Sequence, residues 1–456
     1  MRRSFFLWPA ACLALIGLTL YLRHERLTPV PRPHFLPPDG STRIIPSASA
    51  SATNIPEATD APKGTTTTGR VLPQETRAAY IKAIMDPAAG DLPRLECPDL
   101  NVSRYQHLQA DKIAGSSTDS TIQYYFALDL RQCLTLLPRL IGSVVEAIRF
   151  LGPNSCALSI IEGNSEDGTG EVLAALRPEL EALGTTYYFS TSDINPKEGN
   201  RIDKLARLRN MALQPIFDDA EKTPTGNTST STSTKRFSAN STTVIFLNDV
   251  AACAEDILEL VHQRALLGAD MVCGMDWTYV GRDPTFYDVW IARGLRGGDS
   301  FFEIPPDGSW DSAWNLFWND PDAQSRFRAR QPFQVFSCWN GAAVFGAAPL
   351  LEKSGIRFRA EREGECRQGE PQLFCKDLWF HGYGKIAVVP TVNLEYSDEA
   401  GKRIKEAKGY VSRWVGAPEW KDEKIEWQRE PPEKVKCMAV YENQFFEPWN
   451  ITQPGT

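Results

Sequence analysis

Apolar residues recur through the middle of the chain in two alternating rhythms. Short runs rich in β-branched and aromatic side chains, at 124–130, 156–161, 185–190, 243–247 and 271–275, read as buried strands. Between them, 134–151, 170–183, 202–215 and 255–267 carry apolar positions at helical spacing. Strand and helix in regular alternation predict an α/β fold, Rossmann-like, with a mostly parallel sheet flanked by helices. Such sheets bind ligands beyond the carboxyl ends of their strands. Glu162, Asp249 and Asp276 stand at those ends.

The chain ends do not follow this rhythm. Residues 5–22 are an uncharged apolar run, with Arg2 and Arg3 before it and Arg23 and Arg26 after it. As a helix they span roughly 27 Å, enough for a thin bilayer. Tyr21-Leu22-Arg23-His24 follows where a cleaved signal peptide needs small residues, so an uncleaved transmembrane signal-anchor is expected, with 1–4 as a cytoplasmic tail. Residues 23–94 read as a stem, largely disordered because Pro, Ser, Thr and Ala dominate 28–69, with a first helix at 74–85. The Thr/Ser repeat at 223–243 reads as a disordered insertion. The enzymatic domain is then 95–430, and 431–456 a C-terminal tail.

Charge and cysteine narrow the class. A net charge of -8 argues against a nucleic-acid partner, which calls for a basic face. Sequons at Asn101, Asn227, Asn240 and Asn450 all follow the apolar run. Ten cysteines, nine of them beyond that run, suit an oxidising lumen, and the odd number leaves at least one free thiol. Cys366 and Cys375 are near enough in sequence to pair locally. Neither has a His or further Cys at zinc-ligand spacing. The expected topology is single-pass type II, with a lumenal body.

Candidate chemistry lies in the turns after the strands. In Glu162-Gly-Asn-Ser-Glu-Asp167-Gly-Thr169, a strand-end carboxylate can accept from a base or ribose, while Asp167 is equally suited to capping the next helix. Arg207 and Asn210 lie three apart on one helix face, where both can approach a diphosphate. Asn248-Asp249 closes an apolar strand, and hard oxygen ligands at such a point suit Mn²⁺ or Mg²⁺, although a full Asp-x-Asp is missing. Asp276 beside Trp277 and Asp288 near Trp290 pair carboxylates with rings, as sugar sites do. Trp339-Asn340-Gly341 supplies a ring, an amide and a flexible backbone. Asp377 is the last candidate carboxylate, with His381 in sequence reach of it.

Taken in order, Glu162-Gly-Asn-Ser-Glu-Asp-Gly-Thr, Lys204-Leu-Ala-Arg-Leu-Arg-Asn, Phe246-Leu-Asn-Asp-Val, Cys273-Gly-Met-Asp-Trp, Ser337-Cys-Trp-Asn-Gly and Cys375-Lys-Asp-Leu resemble the fungal cryptococcal mannosyltransferase (capsule-associated protein) family. The resemblance covers about 121–396. It implies a type A glycosyltransferase fold in a Golgi membrane protein that moves mannose from GDP-mannose to a glycan acceptor in alpha-1,3 linkage, with retention. It further implies Asp249 and Asn248 on metal, Arg207 and Asn210 on phosphate, Glu162 and Asp167 on the nucleoside, Trp339 and Asn340 on sugar, and Asp377, Asp276 and Asp288 near the reacting carbon. Donors such as UDP-xylose or UDP-galactose, or a non-catalytic scaffold for polysaccharide synthesis, are the competing readings.

Overall fold

The structure, a computed structural model, describes residues 72–109, 121–221, 236–280, 282–352 and 355–451. The apolar run at 5–22, most of the expected stem and Asn227 lie outside these residues. Among the described residues no helix is long and apolar enough to cross a membrane.

Helix α1 (Gln74–Met85) opens the fold. Strand β1 (Tyr124–Leu130) leads to α2 (Leu137–Leu151), and β2 (Cys156–Glu162) leads to α3 (Thr169–Ala175) and α4 (Arg177–Leu183). Then come β3 (Thr186–Thr191), α5 (Arg201–Glu221), β4 (Thr243–Leu247), α6 (Ala254–Leu267), β5 (Met271–Val280), β6 (Asp283–Phe286) and β7 (Arg293–Gly294). The second half adds α7 (Pro321–Arg328), β8 (Phe333–Ser337), β9 (Ala342–Gly346), α8 (Glu370–Phe380), β10 (Ile386–Leu394), α9 (Asp398–Lys408), β11 (Lys434–Val440) and β12 (Asn443–Pro448).

One sheet runs β3-β2-β1-β4-β9-β5-β10-β8-β7, and β6 pairs with β5. The α/β architecture is as expected: β3, β2, β1 and β4 are mutually parallel, as are β5 and β10. Strand β9 enters antiparallel between β4 and β5. Alternate side chains of β1 enter different cores, Tyr125 and Ala127 on one face and Tyr124, Phe126 and Leu128 on the other. That two-sided burial is why these strands read as nearly continuous apolar runs.

Several boundaries differ from the sequence expectation. The helix expected at 170–183 is two, because Pro178 has no N–H to continue the first and starts the second. Helix α5 instead runs through Pro215, since the next turn buries Ile216 and Phe217 and Asp219 accepts from the backbone of Arg236 and Phe237. Residues 236–242, assigned to the insertion, pack on the sheet, with Ile122 N–H donating to Arg236 O at 2.8 Å and Phe237 buried. Nor does the body begin at 95. Ile84 of α1 is buried in one of the two cores, and Arg94 donates to Ala83 O at 2.7 Å. At the other end, residues 434–448 form an antiparallel hairpin, tied to the body by a Cys366–Cys437 disulfide. Cys366 therefore does not pair with Cys375, which is a buried free thiol, as are Cys133 and Cys156. Two further disulfides join Cys97 to Cys253 and Cys273 to Cys338.

Candidate active site

A cavity of about 570 Å³ opens where the carboxyl ends of β1, β2 and β4 meet the first half of α5 and the N-terminus of α8. This is the edge at which a parallel sheet binds ligands. Its far wall is the hairpin, through Met438, Ala439 and Val440.

Arg209 stands at the centre. Its Nε donates to Glu370 Oε1 at 2.9 Å, and its Nη1 lies 3.9 Å from Asp129 Oδ1. The guanidinium covers the ring of Trp339, 4.5 Å from the ring centroid, while Trp339 Nε1 donates to Asn248 Oδ1 at 3.0 Å. Burial alone would lower the pKa of Arg209, but Asp129 and Glu370 outweigh it and hold the group charged. Burial pushes Asp129 up to about 6; Arg209 opposes this, and the nearby charges of Glu370 and Asp249 add to it.

Strand register explains the acidic edge. Leu128 pairs with Leu247, so Asp129 leaves β1 beside Asn248, and Asp249 follows one residue later. Two carboxylates at adjacent strand ends, Asp129 and Asp249, form a donor set that fits a hard divalent cation. Mg²⁺ and Mn²⁺ are commonly held by one or two carboxylates with the substrate phosphates completing the shell. Among the described residues no cluster of three or more His, Cys, Asp or Glu is placed to bind a metal by itself.

Asp288 and Tyr396 also line the cavity. Behind them Asp276 is fully buried, with Oδ2 accepting from Tyr396 Oη at 2.6 Å and Oδ1 unpartnered. Burial and the neighbouring Asp288 raise Asp276 well above the carboxylate range. Burial pushes Asp288 up to about 7 against the Asn340 N–H and Arg209, which favour its charged form. Asn340 and Gly341 both adopt positive φ, 52° and 80°. This turn aims the Asn340 N–H at Asp288 Oδ2, at 2.9 Å.

Other expected residues lie elsewhere. Arg207 is exposed, on the side of α5 away from the cavity. With Leu205, Leu208 and Ala212 buried, the 100° helical step puts position 209, not 207, inside the inward arc. Asn210 does not line the cavity either; it exchanges two hydrogen bonds with the Phe358 backbone. Glu162 accepts from Ser165 N–H, and Asp167 accepts from the Leu134 and Thr169 backbone, so both organise their own loop. Asn340 is fully buried, its amide donating to Gly274 O. Asp377 is held by Arg359 through two bonds, at 2.7 and 2.8 Å, in a network with Glu365 and Lys376, and does not reach the cavity. His381 only ends α8. Among the sequons, Asn240 and Asn450 are exposed, whereas the Asn101 carbonyl caps a short helix by accepting from Arg104 N–H.

Sequence reading missed Asp129, Arg209, Glu370 and Tyr396. Asp129 had a visible signal, as the one charge in Tyr-Tyr-Phe-Ala-Leu-Asp-Leu, next to the end of a strand. Glu370 and Tyr396 had none, since their neighbours in space are distant in sequence.

Comparison with known proteins identifies the family. Two solved structures are similar at low superposition. One is S. aureus TarS 1-349, with TM-score 0.32, 11% identity, and 60% of each chain covered. The other is the mannosyltransferase PcManGT from Pyrobaculum calidifontis, in complex with GDP-Man and Mn2+, with TM-score 0.33 and 11% identity, covering 71% of this chain and 64% of that one. Superpositions this loose carry no argument about substrate. Sequence is more decisive. Residues 123–377 match the family described as Cryptococcal mannosyltransferase 1. The alpha-1,3-mannosyltransferase CMT1 of Cryptococcus neoformans is 35% identical over 367 residues, covering 77% of this chain and 74% of that protein. The chain thus belongs to the cryptococcal mannosyltransferase 1 family, and its α/β body is a mannosyltransferase domain of that family.

Proposed function

We propose that this protein transfers mannose from GDP-mannose to a mannose-containing glycan in alpha-1,3 linkage, with retention and with the help of Mn²⁺ or Mg²⁺. The observation that carries this reading is the constellation at the parallel strand ends. One buried cation, Arg209, is stacked on Trp339, with Asp129 and Asp249 beside it. The linkage is that of the 35% identical relative, and the donor is the one the family resemblance implies.

In this reading Asp129, Asp249 and Asn248 hold the cation, which supplies countercharge to the diphosphate. Arg209, with Arg201 and Lys197 farther along the same wall, takes up charge on the departing phosphate oxygen. Trp339 gives the sugar a flat apolar face. Asp288, backed by Asp276 and Tyr396, accepts from sugar hydroxyls. Retention needs no base on the face opposite the leaving group. As the sugar–phosphate bond breaks and the new glycosidic bond forms, the acceptor hydroxyl passes its proton to the departing diphosphate. The type A glycosyltransferase fold fits the strand order, with acidic residues closing β1 and β4. The run at 5–22 supports a single-pass membrane anchor, the sequons and cysteines after it support a lumenal body, and the family resemblance supports a type II protein of the Golgi.

The test is slow nucleotide release from a panel of GDP- and UDP-sugars, with and without chelator, for the wild type and Asp249→Ala. Release from GDP-mannose that chelation abolishes, and that falls at least a hundredfold in the variant, is the expected result. Release from a UDP-sugar instead would discard the donor assignment.

A further inference from the structure

Outside the donor cavity, one feature of the second half has no role in the machinery described above. Residues 297–325 carry six carboxylates (Asp299, Glu303, Asp307, Asp311, Asp320 and Asp322) and no Lys or Arg. The same stretch spaces Trp310, Trp314 and Trp318 four residues apart. Trp314 is 82% exposed and Trp318 41% exposed, far beyond what a folded core leaves in water.

This segment is joined to the cavity by a line of rings. Trp290 lines the cavity, and the ring of Tyr441, at the tip of the β11–β12 hairpin, packs on it with centroids 4.6 Å apart. Tyr441 Oη accepts from Trp310 Nε1 at 3.2 Å. Gln444 Nε2 donates to Pro305 O at 3.2 Å, which binds the hairpin to the start of the tryptophan segment. Val440, between cavity and tip, is 50% exposed.

We infer that Tyr441, Trp310 and Trp314 form the acceptor subsite, and that its ligand is a neutral oligosaccharide. Aromatic faces bind the apolar CH face of a sugar, and the surrounding carboxylates accept from its hydroxyls. Asp299 pairs with Lys436 and Asp322 with Arg296, but Glu303, Asp307 and Asp311 carry no ion pair among the described residues. Their negative charge repels an acidic glycan, and like-charge juxtaposition is an effective means of rejection. Continuity from Trp290 to Tyr441 to Trp310 sets the path along which an acceptor approaches the donor sugar. The inference rests on the transferase reading proposed above, whose donor half can fail separately.

Two measurements on the detergent-solubilised full chain decide it. Calorimetric titration with a neutral mannose oligosaccharide, and with one bearing glucuronic acid, reads acceptor binding without turnover. Nucleotide release from GDP-mannose in the absence of acceptor reads the donor half. Tyr441→Ala is expected to weaken neutral oligosaccharide binding about tenfold, as loss of one stacking ring implies. Trp314→Ala, at a side chain too exposed to affect folding, is expected to weaken it several-fold. Donor-only release should stay unchanged in Trp314→Ala, and the acidic oligosaccharide should bind more weakly than the neutral one. Equal neutral-sugar affinity in wild type and both variants overturns the inference, as does tighter binding of the acidic glycan. Absence of donor release from the wild type would sink the proposed donor while leaving the sugar titration fully readable.

Discussion

Two arginines of α5, two residues apart, meet different surroundings. Arg209 is enclosed by Glu370, Asp129 and the Trp339 ring, while Arg207 meets solvent. Arg209→Ala would leave the carboxylates of Asp129 and Glu370 without the buried cation between them. Breaking a buried pair in this way costs about 3–5 kcal/mol. Nucleotide release should fall at least a hundredfold, and the melting temperature should drop visibly. Arg207→Ala should stay within about twofold of wild type in release and within about 0.5 kcal/mol in stability, as exposed substitutions usually do. Equal effects in release assays and thermal melts would reject the assignment of Arg209. The Arg-x-Arg-Asn motif was legible as a cluster of polar groups. Its functional member was not evident from spacing within the motif, because inward direction is set by the phase of Leu205, Leu208 and Ala212 around it. The acidic loop 162–169 misled in the opposite way. Its carboxylates are spent on backbone N–H groups of their own turn, which is the ordinary work of Asp and Glu next to a helix start.

At the scale of elements, the cavity is a cleft between the parallel strand ends and a hairpin that joins late in the chain. Cys366 precedes Arg367, Gln368, Gly369 and Glu370, which line one wall; Cys437 precedes Met438, Ala439 and Val440, which line the facing wall. Their disulfide therefore ties these two lining segments to each other. Replacing both cysteines with serine should cost about 2–4 kcal/mol, in line with a bridge that closes a loop of this size. The more specific effect is on the donor. Its apparent KM should rise several-fold while limited proteolysis near the 441–442 turn accelerates. A variant that loses stability with unchanged KM and unchanged cleavage would mean that the hairpin is held by its other contacts. Among these, Arg293 Nε donates to Lys436 O at 3.0 Å, and Lys436 Nζ pairs with Asp299 at 3.0 Å. Sequence rhythm located the strands and helices of the first half well, because each buries an apolar face on both sides of one sheet. It gave no warning of β11 and β12. Their alternation is weak, and Phe445 and Phe446 remain exposed on a two-stranded ribbon that draws its stability from a bridge across 71 residues.

For the whole molecule the open question is where the independently folding body starts. Composition put the boundary at 95, where the stretch rich in Trp, Phe and Leu begins. Tertiary contacts put it earlier. Ile84 is buried with Leu140 and Leu95 in the core beneath α2, Leu72 N–H donates to Glu171 Oε2 at 2.8 Å, and Arg94 ties the segment back to α1. A chain starting at 72 should accordingly melt with the longer protein. One starting at 95 loses the full burial of Ile84, worth about 1.5–3 kcal/mol by itself. It also uncovers the part of α2 that α1 protects. For a body of this size each kcal/mol shifts the midpoint by about 2–4 °C or less, so a fall of several degrees is expected. No residue of α1 lines the donor cavity, and nucleotide release well below the melting point should be the same in both lengths. Identical melting curves would mean that α1 is an ornament on the body, and that the compositional boundary was right after all. A lower midpoint with intact release would place α1 inside the folding unit and outside the chemistry.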